Sequence, residues 1–269
     1  MHPGFGVYIH IPFCAKKCDY CAFATFTDRH QLTSDYLDAM RTHIRRSVAS
    51  GMPKATSVFI GGGTPTLVPA DELMSVLAEI KLANNAEVTV ECNPDDITLP
   101  MMQTFLANSV NRVSIGVQST VGHVLKSLGR THNPENVQRS VSIVRQAGFK
   151  TFNLDIIYGA AGETVDDWSQ TVSDVVALDP PHVSAYGLTV EANTVLATQP
   201  DRHPDDDDQA DKYIICDDLF ESRGLANYEI SNWAKTGHEC EHNSLYWQQG
   251  NYEGFGSAAH AHLDGRRWW

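Results

Sequence analysis

The chain reads as an α/β protein built on a parallel sheet that curls into a partial (β/α)6 barrel. Three observations predict this. Short apolar runs alternate with amphipathic, helix-period stretches between residues 7 and 188. Gly, Pro and Asn punctuate the joins. The unusual polar residues fall at the ends of the apolar runs, where parallel sheets collect their chemistry.

Taken in order, residues 7–11 form a first strand, closed by Pro12. Residues 32–48 are helical, with Tyr36, Leu37, Met40, Ile44 and Val48 near helical spacing. Residues 57–60 are a second strand running into Gly61-Gly62-Gly63-Thr64-Pro65, and 71–80 a helix with Leu73, Val76, Leu77 and Ile80 on one face. Residues 87–92 are a third strand, broken by Asn93-Pro94 and followed by a helix over 101–107. A fourth strand over 112–117 ends at Gln118, and a helix over 134–148 stops at Gly148. A fifth strand over 152–158 precedes a helix over 164–178, stopped by Pro180-Pro181, and 182–188 are the sixth strand. After Thr189 the pattern changes. The four-Asp run at 205–208 reads as a solvated turn or helix start without function, followed by a helix over 211–222 and a short strand over 227–230. The chain is expected to divide into a core barrel, 1–190, and an extension, 191–269, that begins a further C-terminal domain missing from this chain.

The 269 residues suffice for one large domain, and a net charge of −13 argues against a nucleic-acid partner. No apolar run approaches the roughly 18 residues of a membrane span. The first residues lack a basic region followed by an apolar core, so no signal peptide is expected. Cys92, Cys216 and Cys240 are dispersed and suggest no disulfide framework, which points to a reducing cytoplasm.

The remaining three cysteines, Cys14, Cys18 and Cys21, lie in a C-x3-C-x2-C run within Y-I-H-I-P-F-C-A-K-K-C-D-Y-C-A-F. Three readings apply: buried thiols, a zinc site completed by His10, or an iron–sulfur cluster. No second C-x-x-C or H-x-x-x-H pair follows to close a zinc site. Three thiolates can hold three irons of a [4Fe–4S] cluster and leave the fourth open. At the other strand ends, the glycine run allows close backbone approach to a ligand and offers N–H groups to a carboxylate. Glu91 ends the third strand without an obvious partner, and burying it alone is costly. Gln118 ends the fourth strand, Arg130 is placed to meet a carboxylate, and Asp155 lies within the fifth. Each is equally readable as a structural polar residue.

The C-x3-C-x2-C run resembles the signature of the radical SAM superfamily. With Tyr8 and the H-I-P-F lead-in, the stretch is similar to the branch containing the oxygen-independent coproporphyrinogen III oxidases and the HemW heme chaperones. The resemblance implies a radical SAM barrel with a [4Fe–4S] cluster on Cys14, Cys18 and Cys21, and S-adenosylmethionine on its open iron. It further implies that Gly62, Gly63, Thr64, Glu91, Gln118, Arg130 and Asp155 contact the cofactor, with Tyr8 and Tyr20 beside it. Two departures separate the chain from the oxidases. Phe23 stands where they resemble C-x3-C-x2-C-x-C, and only seven residues precede Tyr8, where they carry an extension. Both look like HemW. His242, Asn243, Tyr246 and Trp247 match the H-N-x-x-Y-W motif implicated there in heme binding, although from residue types alone a core histidine beside aromatics is the simpler reading. The implied function is heme binding and delivery to a client protein. The alternative is oxidative decarboxylation of coproporphyrinogen III.

Overall fold

Each of the six expected β/α units forms, and their strands lie side by side in chain order. In the computed structural model, which describes residues 4–269, the elements are β1 (Phe5–Ile11), α1 (Thr33–Ala49), β2 (Ala55–Gly62), α2 (Ala70–Leu77), β3 (Leu82–Cys92), α3 (Leu99–Ala107), β4 (Arg112–Gln118), α4 (Gly122–Ser127), α5 (Glu135–Ala147), β5 (Thr151–Tyr158), α6 (Val165–Ala177) and β6 (His182–Gly187). Then follow α7 (Asp206–Glu221), β7 (Ala226–Glu229), β8 (Asn232–Ala234), α8 (Glu241–Trp247), β9 (Asn251–Phe255), β10 (Ala261–Leu263) and β11 (Arg266–Trp268). Met1, His2 and Pro3, where the segment read as no signal peptide begins, lie outside the described residues.

One sheet runs β11-β10-β9-β1-β2-β3-β4-β5-β6-β8-β7, with β1 to β6 all parallel. The residues after 190 therefore extend both edges. β9 joins β1 in parallel, and β8 joins β6 antiparallel.

The strands alternate, unlike the near-continuous apolar runs of a sheet covered on both faces. Val7, Ile9 and Ile11, Val58 and Ile60, Val88 and Val90, Val113 and Ile115, Leu154 and Ile156, and Val183 and Ala185 belong to the apolar core. The residues between them, including Tyr8, His10, Glu91, Arg112, Ser114, Asn153, Asp155, Ser184 and Tyr186, line a cavity on the other face. Tyr8 on β1 and Tyr186 on β6 border that same cavity. A flat sheet would hold these strands roughly 24 Å apart, at about 4.8 Å per step. The six strands are thus curled around a polar interior, as the partial barrel requires, while the strand order leaves the sheet open.

Local chemistry sets the helix ends. Gly148 closes α5 in the left-handed region at φ 107°, as expected of a glycine terminator. Thr164 and Asp167 form a reciprocal capping box at the start of α6. The four-Asp run is a helix start: Asp205 caps α7 through the Asp208 N–H, and the acidic first turn faces the positive helix end. Asp208 also has a packing role that sequence reading missed. It pairs at 2.6 Å with the fully buried Lys212, which meets Glu163 at 3.1 Å and pins α7 to the loop after β5. Among the described residues no helix is long and apolar enough to cross a membrane.

Candidate functional site

The loops at the C-terminal ends of β1 to β6 enclose a cavity of about 600 Å³. Cys14, Cys18 and Cys21 form one wall of it. Burial raises the Cys14 and Cys21 thiol pKa values, and mutual repulsion with Cys18 raises them further. Thr64 Oγ1 donates to Cys14 Sγ at 3.7 Å, and Arg130 Nη1 to Cys18 Sγ at 3.9 Å. Three crowded sulfur ligands would share their thiolate charge over a cationic polynuclear group, and the Arg130 guanidinium offsets what negative charge remains. Among the described residues no three His, Cys, Asp or Glu side chains converge on a single-ion site. The donor set therefore fits an iron–sulfur cluster better than zinc. His10, the conceivable fourth zinc ligand, has both ring nitrogens engaged, by Tyr8 Oη at 3.0 Å and the Ala24 carbonyl at 2.8 Å.

The glycine run is needed for close approach. A Cβ on Gly61 would meet Glu91 Oε2 at 2.7 Å, one on Gly62 the His10 ring at 2.4 Å, and one on Gly63 the Phe13 carbonyl at 2.6 Å. Its N–H groups are not free, contrary to the sequence expectation. Gly62 donates to Glu91 Oε2 at 3.0 Å, Gly63 to the Ile11 carbonyl at 2.7 Å and Thr64 to the Phe13 carbonyl at 2.7 Å. Tying the end of β2 to the Glu91 side chain on β3, to the end of β1 and to the start of the cysteine loop consumes them.

Glu91 and Asp155, on β3 and β5, face one another across the interior. Burial first and Asp155 second push the Glu91 carboxyl up to about 7, against the Gly62 N–H. Burial also raises Asp155, although it accepts hydrogen bonds from Ser114 Oγ and Asn153 Nδ2, each at 2.7 Å. Gln118 sits in the left-handed region at φ 62°, beside a register shift in β4. Such backbone strain collects at binding sites. Arg130 makes no ion pair among the described residues. Its Nη2 donates to the Gly116 carbonyl at 2.9 Å. Tyr20 lines this cavity, with Gly62, Gly63, Thr64, Glu91, Gln118, Arg130 and Asp155. Tyr8 does not: it faces a second cavity.

That second cavity, of about 1180 Å³, fills the curl of the sheet and shares Gly62, Glu91, Ser114, Asp155, Tyr186 and Phe23 with the first. Its far wall is α8 with β9 to β11, so His242, Asn243, Tyr246 and Trp247 border it. His242 is 1% exposed. Its Nδ1 bonds Ser57 Oγ at 2.9 Å, its Nε2 bonds Tyr246 Oη at 2.8 Å, and its ring stacks on Phe59. Burial, then Arg112, lower its pKa to about 3, so the imidazole is neutral. Sequence reasoning missed the other lining groups, Arg112, His260 and His262. Arg112 and its neighbours were legible in the alternating polar positions of the strands. The two histidines carry no local signal, because only the pairing of β9 with β1 brings them near.

A sequence profile of the Radical SAM superfamily matches residues 8–175. The chain is 38% identical over 277 residues to the heme chaperone HemW of Mycobacterium tuberculosis, covering 98% of this chain and 71% of that protein. It is 35% identical over 273 residues to the heme chaperone HemW of Escherichia coli, covering 98% and 72%. The solved coproporphyrinogen III oxidase (HemN) of Escherichia coli superposes with a TM-score of 0.83 at 24% identity, covering 97% of this chain and 65% of that one, a likeness of fold. The chain belongs to the radical SAM superfamily and, within it, to the HemW family.

Proposed function

We propose that the protein binds heme in the larger cavity and passes it to a client protein, with the cluster and S-adenosylmethionine in the smaller one. A radical SAM protein takes a [4Fe–4S] cluster and S-adenosylmethionine, and when bound they supply one-electron chemistry at the sulfonium. Cys14, Cys18 and Cys21 hold the cluster. The carbonyls of Gly62 and Gly63, whose N–H groups are spent, accept from the cofactor ammonium. Glu91 and Asp155, raised by burial, gain from any cation or hydroxyl that reaches them. Arg130, Gln118 and Tyr20 close the pocket around the remainder. The observation that carries the heme reading is a second, larger cavity joined to the first and bordered by the H-N-S-L-Y-W run.

His242 contributes through α8. With both ring nitrogens engaged, it holds Tyr246 and the helix in place, and direct iron ligation would require Tyr246 to leave Nε2. His262 is the better-placed ligand. Its Nδ1 is engaged by the Gly250 carbonyl at 2.9 Å, and its Nε2 has no hydrogen bond among the described residues. Donation from Nδ1 to a carbonyl fixes the tautomer that leaves a lone pair on Nε2, the arrangement typical of ligating histidines.

This reading takes a reducing cytoplasm as the compartment, which is supported by Cys14, Cys18, Cys21, Cys92, Cys216 and Cys240 all being free. The test is anaerobic reconstitution with iron and sulfide, then spectra with and without S-adenosylmethionine and heme. A Soret shift at one heme per chain supports the reading. Steady turnover of coproporphyrinogen III to protoporphyrinogen would overturn it in favour of the oxidase, which Phe23 in the fourth-cysteine position argues against.

A further inference from the structure

Arg112 opens β4, opposite Thr89 and Thr151, and points into the interior of the curl. It is 2% exposed, and its Nε is buried without a partner. Among the described residues its side chain makes no hydrogen bond and no ion pair. The carboxylates near enough to influence it are Glu87 and Asp155, and both are committed elsewhere. Glu87 accepts the N–H groups of Glu241 and His242, each at 3.1 Å, at the start of α8, together with Cys240 Sγ at 3.4 Å. Asp155 is held by Ser114 and Asn153, each at 2.7 Å. Both act on Arg112 only as charges at a distance, and a buried guanidinium whose donors are left unmet is costly. The cavity it lines is amphiphilic, because Phe23, Ile230 and Trp247, exposed by 61, 68 and 57%, border the same space.

We propose that Arg112 is the carboxylate receptor of the larger cavity, so that a flat aromatic ligand enters carboxylate-first and rests its apolar body against Trp247 and Phe23. The guanidinium fork matches a carboxylate in two parallel hydrogen bonds, and the enclosed setting strengthens them. Ser114 and Asn153 hold Asp155 in place and so leave Arg112 to the ligand. The inference deepens the heme reading, since heme carries propionates, and rests on it only for the ligand's identity.

The test uses metal-free protoporphyrin IX and its dimethyl ester, titrated by porphyrin absorbance into wild-type protein, Arg112→Gln and Arg112→Lys, with hemin titrated in parallel. The free acid should bind wild type about tenfold or more tighter than the ester, as charge-assisted hydrogen bonds imply. Arg112→Gln should erase that preference, and Arg112→Lys, which keeps charge but lacks the fork, should retain part of it. Equal affinity of acid and ester for wild type overturns the proposal, and so does an undiminished preference in Arg112→Gln. Should Arg112→Gln lose its cooperative thermal transition, the wild-type ratio and Arg112→Lys decide: a full preference in the lysine variant overturns the fork. If hemin gives no Soret shift while the acid preference and its loss persist, the heme function fails and the carboxylate site stands.

Discussion

The two cavities differ in how the chain builds them. The smaller is made from loops at the strand ends, each a short segment with its own signature: the cysteine run, the glycine run, Glu91, Gln118 and Arg130. The larger is made from inward side chains of six strands plus α8, His260, His262 and Arg267, residues far apart in the chain. A site of local motifs announces itself in sequence. A site of alternate strand positions and a returning C-terminal segment does so only once the sheet has curled. The two meet at Glu91 and Asp155, so a change on one side should be felt on the other chiefly through those carboxylates.

The largest expected effect separates the cavities outright. Cys14→Ala, Cys18→Ala or Cys21→Ala should each abolish the broad cluster absorbance after reconstitution while leaving the heme-dependent Soret shift in place. A single variant that keeps four irons and four sulfides would remove the cluster assignment, and one that loses heme as well would show that the cavities act as one. Next is the seam. Because burial raises Glu91 to about 7 in the folded chain, its contribution to stability is present at acid pH and is lost as pH rises through about 7. A bound ammonium reverses this by favouring the ionised carboxylate. Cofactor affinity should therefore rise between pH 6 and 8 in wild type. Glu91→Gln should flatten that profile and weaken binding about tenfold or more, the scale of a lost charge-assisted contact. Calorimetric titration across the range checks it, and an unchanged slope in the variant would remove Glu91 from the pocket.

Smaller effects sharpen the larger cavity. His262→Ala should shift the Soret maximum and weaken heme binding while leaving folding intact. His242→Ala should instead lower stability by about 1–3 kcal/mol, since Ser57 and Tyr246 lose their partner in a buried setting. Denaturant unfolding beside heme titration distinguishes them, and the reverse pattern would make His242, not His262, the iron ligand. The smallest effect is at Gln118. Gln118→Gly should relieve its left-handed strain and stabilise the apo chain by about 1 kcal/mol, at the expense of cofactor affinity. A melt that does not rise would mean the turn carries no strain.

Much of this protein is determined by its sequence alone. Residues 112–117 and 182–188 read as strands and form β4 and β6 within one residue, and 87–92 form the second half of β3, which begins earlier at Leu82, because β-branched runs between turn residues decide locally. The three cysteines, the glycine run and the strand-end polar groups were legible for the same reason: each is a feature of neighbouring residues. Tertiary structure decided the rest. Only the curl puts Tyr8 in the larger cavity instead of beside Tyr20, and only the parallel pairing of β9 with β1 carries His262 to that wall. Only packing shows that the N–H groups of Gly62, Gly63 and Thr64 are consumed, that both His242 nitrogens are engaged and that Arg112 is left without a partner. Spacing along a chain encodes which residues are near in sequence. Whether a donor or a charge is already satisfied depends on groups brought from far away, by burying the outer faces of the strands against their helices and leaving the inner faces to close around a ligand.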